Sequence, residues 1–546
     1  MKMRLKWMVP LLVLLVTLVS AGCSSGAKEA EVEKESPKQS TQSSEDETKN
    51  PKSGGTYTIV TASDPDMLDP HRSSSIYTHG YMGLVYNKLL TYETGPDIDY
   101  TDYNIVGDLA EKWEVSDDGK VYTFHLRDAN FHNIPPVNGR KLVAEDVVAT
   151  MERMMTLPGH QASLLAEVES VEAKDEKTVV FTLKQPLTPF LNFIANHFMW
   201  ILPKEAIDGD FDVTTTAIGT GPFMLEKWED NIGATFVRNP DFYEEGKPYI
   251  EKVEYLVIPD VSAQIAAFRT GKADVISQIS PEEIDNLLKT NPDTVINEVM
   301  IPTQIQVAMN MDRDPFKDVR VRKAISMAID RQNAVDQIFG GGEVSSPVNP
   351  SLGDWALPKE EREKLQPFDQ EKAKQLLAEA GFPDGFDTTI MVTDGYGQQP
   401  VRIAQWVAED LRAIGINADF QVTEYATFYT EKYPKKDYDM VVTYQTFFQE
   451  ADEWLRTQLR TGSPRNWFGV SDPELDKMLD EQRVMLDENE RKAKVHDIQR
   501  YLLEEIVNPI PLVTNYVYSP RHPHVKNYHP HASYGNIHMK NVWLDK

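Results

Sequence analysis

Thr56-Tyr57-Thr58-Ile59-Val60 alternates polar and apolar side chains, which predicts a half-buried strand opening the folded body. Val121 to Leu126 repeats the alternation behind a Ser116-Asp117-Asp118-Gly119 turn, and Thr178 to Leu183 does so ahead of Pro186. Val253 to Ile258 gives a fourth strand, and Ala144 to Met155 carries apolar residues at helical spacing. The second half has a clearer rhythm. Asp318 reads as the N-cap of one helix from Val319 to Phe339, stopped at Gly340-Gly341-Gly342. Asp369 caps a helix carrying Ala373, Leu376, Leu377 and Ala380, which Gly381 ends. Thr388 to Val392 reads as a strand, Pro400 to Ile414 as a helix stopped by Gly415, and Ile416 to Val422 as the next strand. That βαβ unit implies parallel strands with a right-handed crossover. Asp439 to Thr443 predicts a further strand. With no repeat at periods of roughly 20–50 residues, the body reads as two α/β lobes.

Ahead of this body the pattern changes. Lys2, Arg4 and Lys6 precede an apolar run from Trp7 to Val19. The run is too short to span a bilayer and suits a signal-peptide core. Cys23, the only cysteine, follows Ser20-Ala21-Gly22 at the position of cleavage. This resembles the lipobox of bacterial lipoproteins, although Ser20 stands where that motif usually has an aliphatic residue. The resemblance implies that residues 1–22 are a signal peptide and that Cys23 receives a diacylglycerol and becomes the new N-terminus. Two acyl chains give a stable anchor. Residues 24–53 are rich in Ser, Glu, Lys and Thr, with no aromatic and one aliphatic beyond alanine, Val32. Burial cannot offset their ordering entropy, so residues 23–53 are expected to form a lipidated, disordered tether outside the cytoplasmic membrane.

Composition narrows the function. Of 546 residues, 41% are hydrophobic, enough for a sizeable core. The net charge of −29 disfavours nucleic acid and any grip of the folded surface on anionic lipid. One cysteine excludes a disulfide framework and multi-cysteine metal sites. No nucleophile elbow, zincin motif or phosphate loop is present, so neither enzyme activity nor a cofactor is expected. Gly219-Thr220-Gly221 lacks the third glycine of a dinucleotide loop and runs into Pro222, which favours a tight turn between lobes. Two stretches offer candidate chemistry. His522-Pro523-His524 and His529-Pro530-His531, with His538 beyond, would bind Ni²⁺, Cu²⁺ or Zn²⁺ only if several converged on one ion. An extended segment with exposed histidines is the weightier reading. Tyr444-Gln445-Thr446-Phe447-Phe448-Gln449-Glu450-Ala451-Asp452-Glu453-Trp454 carries a strand end into an aromatic, acidic loop. Ligands of open α/β sheets bind beyond the carboxyl ends of strands, and aromatic faces with carboxylates suit a peptide. Phe447 and Phe448 are consecutive, so on a strand only one would face the core.

The body resembles the extracellular solute-binding proteins of peptide ABC importers, the group with oligopeptide-, dipeptide- and nickel-binding members. The motifs are Asp108-Leu109-Ala110-Glu111-Lys112-Trp113, Tyr122 to Arg127, Phe131-His132 and Asn138 to Val148. Asp66 to Pro70, Gly219 to Phe223, Arg238 to Tyr243, Asp318 to Ala324, Ala328 to Arg331 and Ala373 to Gly381 continue the match. It implies an α/β, two-lobed, type II periplasmic-binding-protein-like fold with a ligand buried between the lobes. Lobe I would be 54–88, 200–310 and 513–546, the inserted subdomain 89–199 and lobe II 311–512. Crossings would lie near Asn310-Met311 and Leu512-Val513. The implied function is capture of peptides by a lipid-anchored, monomeric receptor that delivers them to the membrane subunits of an importer. A nickel, metal-chelate or oligosaccharide receptor is the alternative. In many relatives a second-lobe Asp after a strand-end Trp holds the peptide's α-amino group; here Tyr444 and Phe447 take those places. Either Glu450 or Asp452 replaces that carboxylate, or the ligand lacks a free amino terminus. The expected ligand-binding residues are Tyr444, Gln445, Phe447, Phe448, Glu450, Asp452 and Trp454, with Tyr77, Gly219 and Thr220 from the first lobe.

Overall fold

The computed structural model describes residues 50–157, 160–395, 398–445, 447–533 and 535–546. The signal peptide, Cys23 and most of the expected tether lie outside the described residues. The last tether residues are described: Lys52 Nζ sits 2.5 Å from Asp545.

The alternation at the start of the body places its strand in a seven-stranded mixed sheet. Its order is Val295–Met300, Tyr516–Arg521, Val275–Ile276, Thr56–Thr61, Lys252–Val257, Gly233–Arg238 and Phe223–Glu229. Thr56–Thr61 is parallel to both neighbours, with Tyr57 opposite Val253 and Ile59 opposite Tyr255. Tyr57 and Ile59 enter a core with Tyr81 and Val85 of the helix Ile76–Val85, while Val60 packs on the other face against Ala267.

The second sheet has six strands, in the order Glu343–Val344, Ile510–Thr514, Ile305–Met309, Met440–Tyr444, Phe386–Val392 and Ile416–Val422. Phe386–Val392 and Ile416–Val422 pair in parallel across the helix Gln399–Arg412, as the βαβ pattern requires. Both faces are covered. Met440 and Val442 enter one core and Val441 the other, which is why this strand reads as a continuous apolar run.

Two expectations change here. Ile305–Met309 and Ile510–Thr514 pair with each other in the second sheet. The chain therefore crosses between the sheets at 301–304 and at Asn515, not near Asn310-Met311 and Leu512-Val513. The single helix expected from Val319 to Phe339 is broken. Ile329 is extended and ends Val319–Ala328, and the Asp330 carboxylate recaps the chain by accepting from the Asn333 amide at 3.1 Å. The break lets the buried Arg331 guanidinium donate to Pro511 O at 3.0 Å and Ser326 O at 2.9 Å.

Within the segment 89–199 lies a separate four-stranded antiparallel sheet, Ala110–Val115, Val121–Leu126, Thr178–Leu183 and Val168–Asp175, covered by the helix Ala144–Thr156. Arg153 of that helix ties it to the first sheet's loops, with Nη2 2.5 Å from Asp69 and Nη1 2.7 Å from His71 Nδ1.

Candidate functional site

The strand Met440–Tyr444 ends beside the first chain crossing. The Gln445 amide donates to Gln304 O at 2.7 Å, and Thr303 Oγ1 donates to Gln445 O at 2.6 Å. The sequence after Tyr444 thus leaves the second sheet at its junction with the first. Tyr444 is half-buried, and burial pushes its phenol up to about 12. The Gln445 side chain turns inward, donating to Pro347 O at 3.1 Å.

The two phenylalanines part. Phe448 is buried and stacks on the buried Trp454, with ring centroids 6.0 Å apart. Both belong to the core behind the loop. Phe447 is half-buried and meets the edge of His197 at 4.9 Å. His197 in turn lies 5.0 Å from His79, on the helix that carries Tyr77. The aromatic row His79–His197–Phe447 therefore spans from the first sheet's helix to the second sheet's loop. Tyr77 is half-buried on that helix, its phenol raised by burial.

Polar contacts follow the same seam. The His197 amide donates to Gln449 Oε1 at 3.3 Å, and Asn196 Nδ2 lies 3.5 Å from Glu453 Oε2. His160 Nε2 donates to the other Glu453 oxygen. His79, His160, Asn196 and His197 carry no sequence signal of their own. They are single polar residues whose role arises only when the loop folds against them.

The acidic residues of the loop are already engaged. Glu450 caps the helix Ala451–Leu459, accepting from the Asp452 amide at 2.6 Å, and pairs with Arg491. Burial pushes the Glu450 carboxyl up while the Arg491 charge draws it back. Asp452 accepts from Gln482 Nε2 at 2.5 Å and Arg483 Nε at 3.1 Å. Beneath the seam lies Lys88, 1% exposed, which donates to Ala195 O at 2.5 Å and stands 5.3 Å from the Trp200 ring. Burial lowers its ammonium to about 8, the His79 imidazole to about 4 and that of His197 well below its ordinary value.

Gly219 and Thr220 lie elsewhere. They are buried against the end of Ile76–Val85, where the Thr220 hydroxyl donates to Asn87 Oδ1 at 3.0 Å and the Gly221 amide to Val85 O at 2.8 Å. The terminal histidines are packed into the body rather than exposed, His522 and His524 stacking on each other at 5.4 Å. His522 stacks on Phe268 at 4.1 Å, His524 bonds Asp274 at 2.7 Å, His531 stacks on Tyr92 at 5.2 Å, and His538 packs edge-on against Tyr528. Among the described residues, no group of three or more His, Cys, Asp or Glu could hold a metal ion.

The profile of the bacterial extracellular solute-binding proteins, family 5 middle region, matches residues 104–466. The di/tripeptide-binding protein 2 of Pseudomonas aeruginosa is 28% identical over 484 residues, which span 83% of this chain and 88% of its own. The oligopeptide-binding protein AppA of Bacillus subtilis is 26% identical over 535 residues, 92% of this chain and 94% of its own. The periplasmic binding protein DppA of Helicobacter pylori, solved with the peptide STSA, superposes with a TM-score of 0.75 at 25% identity. That match covers 91% of this chain and 99% of DppA. The chain belongs to the family 5 bacterial extracellular solute-binding proteins, with the type II periplasmic-binding-protein fold. The family is one of substrate-binding proteins of ABC importers, not of enzymes. No helix among the described residues is long and apolar enough to cross a membrane.

Proposed function

We propose that this protein is a monomeric, lipid-anchored receptor that captures peptides between two lobes and hands them to the membrane subunits of an ABC importer. Lobe I would comprise 54–88, 200–300 and 516–546, the subdomain 89–199, and lobe II 305–514. Cys23 would carry the anchor, on a tether of residues 24–53. The observation that carries the reading is the loop after Met440–Tyr444, which meets the opposite side of the seam through Phe447–His197 and Gln449–His197. Tyr444, Gln445, Phe447 and Tyr77 would contact the ligand, with Glu450, Asp452, Phe448 and Trp454 holding the loop in shape. Such a seam offers aromatic faces and amides, which suit peptide groups without demanding one side chain. Peptide ligands of the Pseudomonas, Bacillus and Helicobacter relatives support the choice of ligand.

Native mass spectrometry of residues 24–546, purified without added ligand, tests the reading. Adducts of heterogeneous mass that fragment as peptides are expected. A single adduct at the mass of a metal or metal chelate, or no binding in a titration with a mixed peptide pool, would overturn it. Partition of the full chain into detergent, lost on Cys23→Ser, tests the anchor.

A further inference from the structure

The helix Phe190–Ala195 runs directly into Asn196 and His197, the two residues that meet Glu453, Gln449 and Phe447 of the second sheet's loop. Asn196 turns out of the helix at ψ 146°, so the direction of this exit decides whether those contacts form. The group at the exit is Lys88. Its Nζ donates to Ala195 O, the last carbonyl of the helix, where a cation meets both an acceptor left over by the helix and the negative end of its dipole. The rings of Trp200 and Tyr92 face the same ammonium at 5.3 and 5.7 Å. Among the described residues no carboxylate pairs with it. Asp108 acts on it through space, but the Asp108 oxygens accept from the Lys88 backbone N–H at 2.8 Å, Asn87 Nδ2 at 2.9 Å and Tyr243 Oη at 2.6 Å.

A fully buried ammonium held by one carbonyl works against folding. The unfolded chain keeps this proton up to about pH 10.4, the folded chain only to about 8 because of burial, so below about pH 8 the charge destabilises the fold. A methionine of similar length would fill the space without that penalty. The charge is accounted for by what it holds. We propose that Lys88 is a positioning residue for ligand capture: its ammonium caps the helix Phe190–Ala195 and thereby aims Asn196 and His197 across the seam at Glu453, Gln449 and Phe447. This inference rests on the reading of the seam as the ligand site.

Lys88→Met tests this in residues 24–546 loaded with a pool of defined tri- to nonapeptides. Release after dilution is followed by native mass spectrometry, and stability by urea unfolding of the ligand-free protein. We expect release about tenfold faster, the rate equivalent of about 1.4 kcal/mol, with a urea midpoint at or above that of the wild type. Unchanged release would overturn the proposal. Faster release with a midpoint lowered in step would overturn it too, reducing Lys88 to ordinary packing. The wild type supplies a second measure. His197 and His531 also face the ammonium, and burial keeps both imidazoles neutral near pH 8, while the Tyr92 phenol, which also feels Glu453, is held well above its ordinary value. Of these groups only Lys88 changes charge near pH 8. Release should therefore quicken as the pH rises through about 8 in the wild type and stay flat in Lys88→Met; parallel profiles would overturn the proposal. A wild type that retains no peptide would remove the peptide reading itself, and the proposal with it.

Discussion

Gly219 donates its amide N–H to His132 Nδ1 at 3.3 Å, while His132 Nε2 donates to Gly221 O at 3.0 Å. The imidazole thus clasps both glycines of Gly219-Thr220-Gly221-Pro222 between the subdomain and the end of Ile76–Val85. The motif serves close packing. A Cβ on Gly219 would lie 2.1 Å from Val85 O, a backbone atom with no room to move aside.

Gly219→Ala is therefore expected to destabilise the protein by about 3 kcal/mol or more, through overpacking against backbone. Gly95→Ala, whose Cβ would meet only the Ile98 side chain at 3.7 Å, is the matched control. Urea unfolding of both variants checks this, and a Gly219→Ala midpoint near that of the control would contradict the packing role.

The same clasp predicts acid sensitivity. His71, His79, His132 and His531 are held down to about 4 and His538 to about 3, first of all because burial disfavours the charged ring. His132 Nδ1 accepts from Gly219, and His71 Nδ1 accepts from Arg153 at 2.7 Å, so the neutral rings are built into the hydrogen bonding. The unfolded chain takes up these protons near pH 6.5 and the folded chain only near pH 4. Stability is therefore full above about pH 6.5 and falls as the pH drops toward 4. Each such histidine contributes a slope of about 1.4 kcal/mol per pH unit. Asp69 adds its loss lower down: burial raises its carboxyl, but Arg153 outweighs that and lowers it overall, so its contribution fades only below about pH 3.9. Urea midpoints measured from pH 7.5 to 5 should decline steeply, and His132→Gln should make the decline shallower by about one proton. A flat profile would contradict the neutral-histidine assignment.

Local pattern carried much of this architecture, and the failures share one cause. Strands such as Thr56–Thr61 and Ile416–Val422 were legible because a side chain's face depends only on its neighbours in the chain. The helix break at Ile329 was not legible, because it depends on Arg331 reaching Pro511, 180 residues away. The crossing implied near Asn310-Met311 moves for a related reason: only the pairing of Ile305–Met309 with Met440–Tyr444, far off in sequence, assigns that segment to the second sheet. The loop after Tyr444 stood out through its aromatics, but its partner His197 lies 252 residues from Gln449 and is unremarkable in its own sequence context.

Arg483 joins the loop to the subdomain, with Nε 3.1 Å from Asp452 and Nη1 3.1 Å from Glu167. Its side chain is 8% exposed, and removing it leaves Asp452 buried without its cation. Arg483→Met should cost about 3 kcal/mol in urea unfolding, the usual scale for breaking a buried pair. Adding Asp452→Asn should restore part of the loss by removing the stranded charge. Additive losses in the double variant would show that the two residues do not act as a pair.

His160 and Glu453 make the corresponding link beside the loop after Tyr444, with side-chain exposures of 15% and 1%. Glu453 also accepts from the Gln449 amide N–H at 3.0 Å, a bond that Glu453→Gln can keep while losing the charge-assisted contact to His160. A double-mutant cycle of His160→Ala and Glu453→Gln isolates that contact from the rest of the loop. The expected coupling is about 1–2 kcal/mol, in the range of hydrogen bonds to charged groups. If it holds the two sides together, the Glu453→Gln variant should also release retained ligand about tenfold faster, the rate equivalent of about 1.4 kcal/mol. A coupling indistinguishable from zero would mean that the His160 contact does not close the seam, leaving that role to Phe447–His197, Gln449–His197 and Asn196–Glu453. Ligand release should then respond to Phe447→Ala and not to Glu453→Gln.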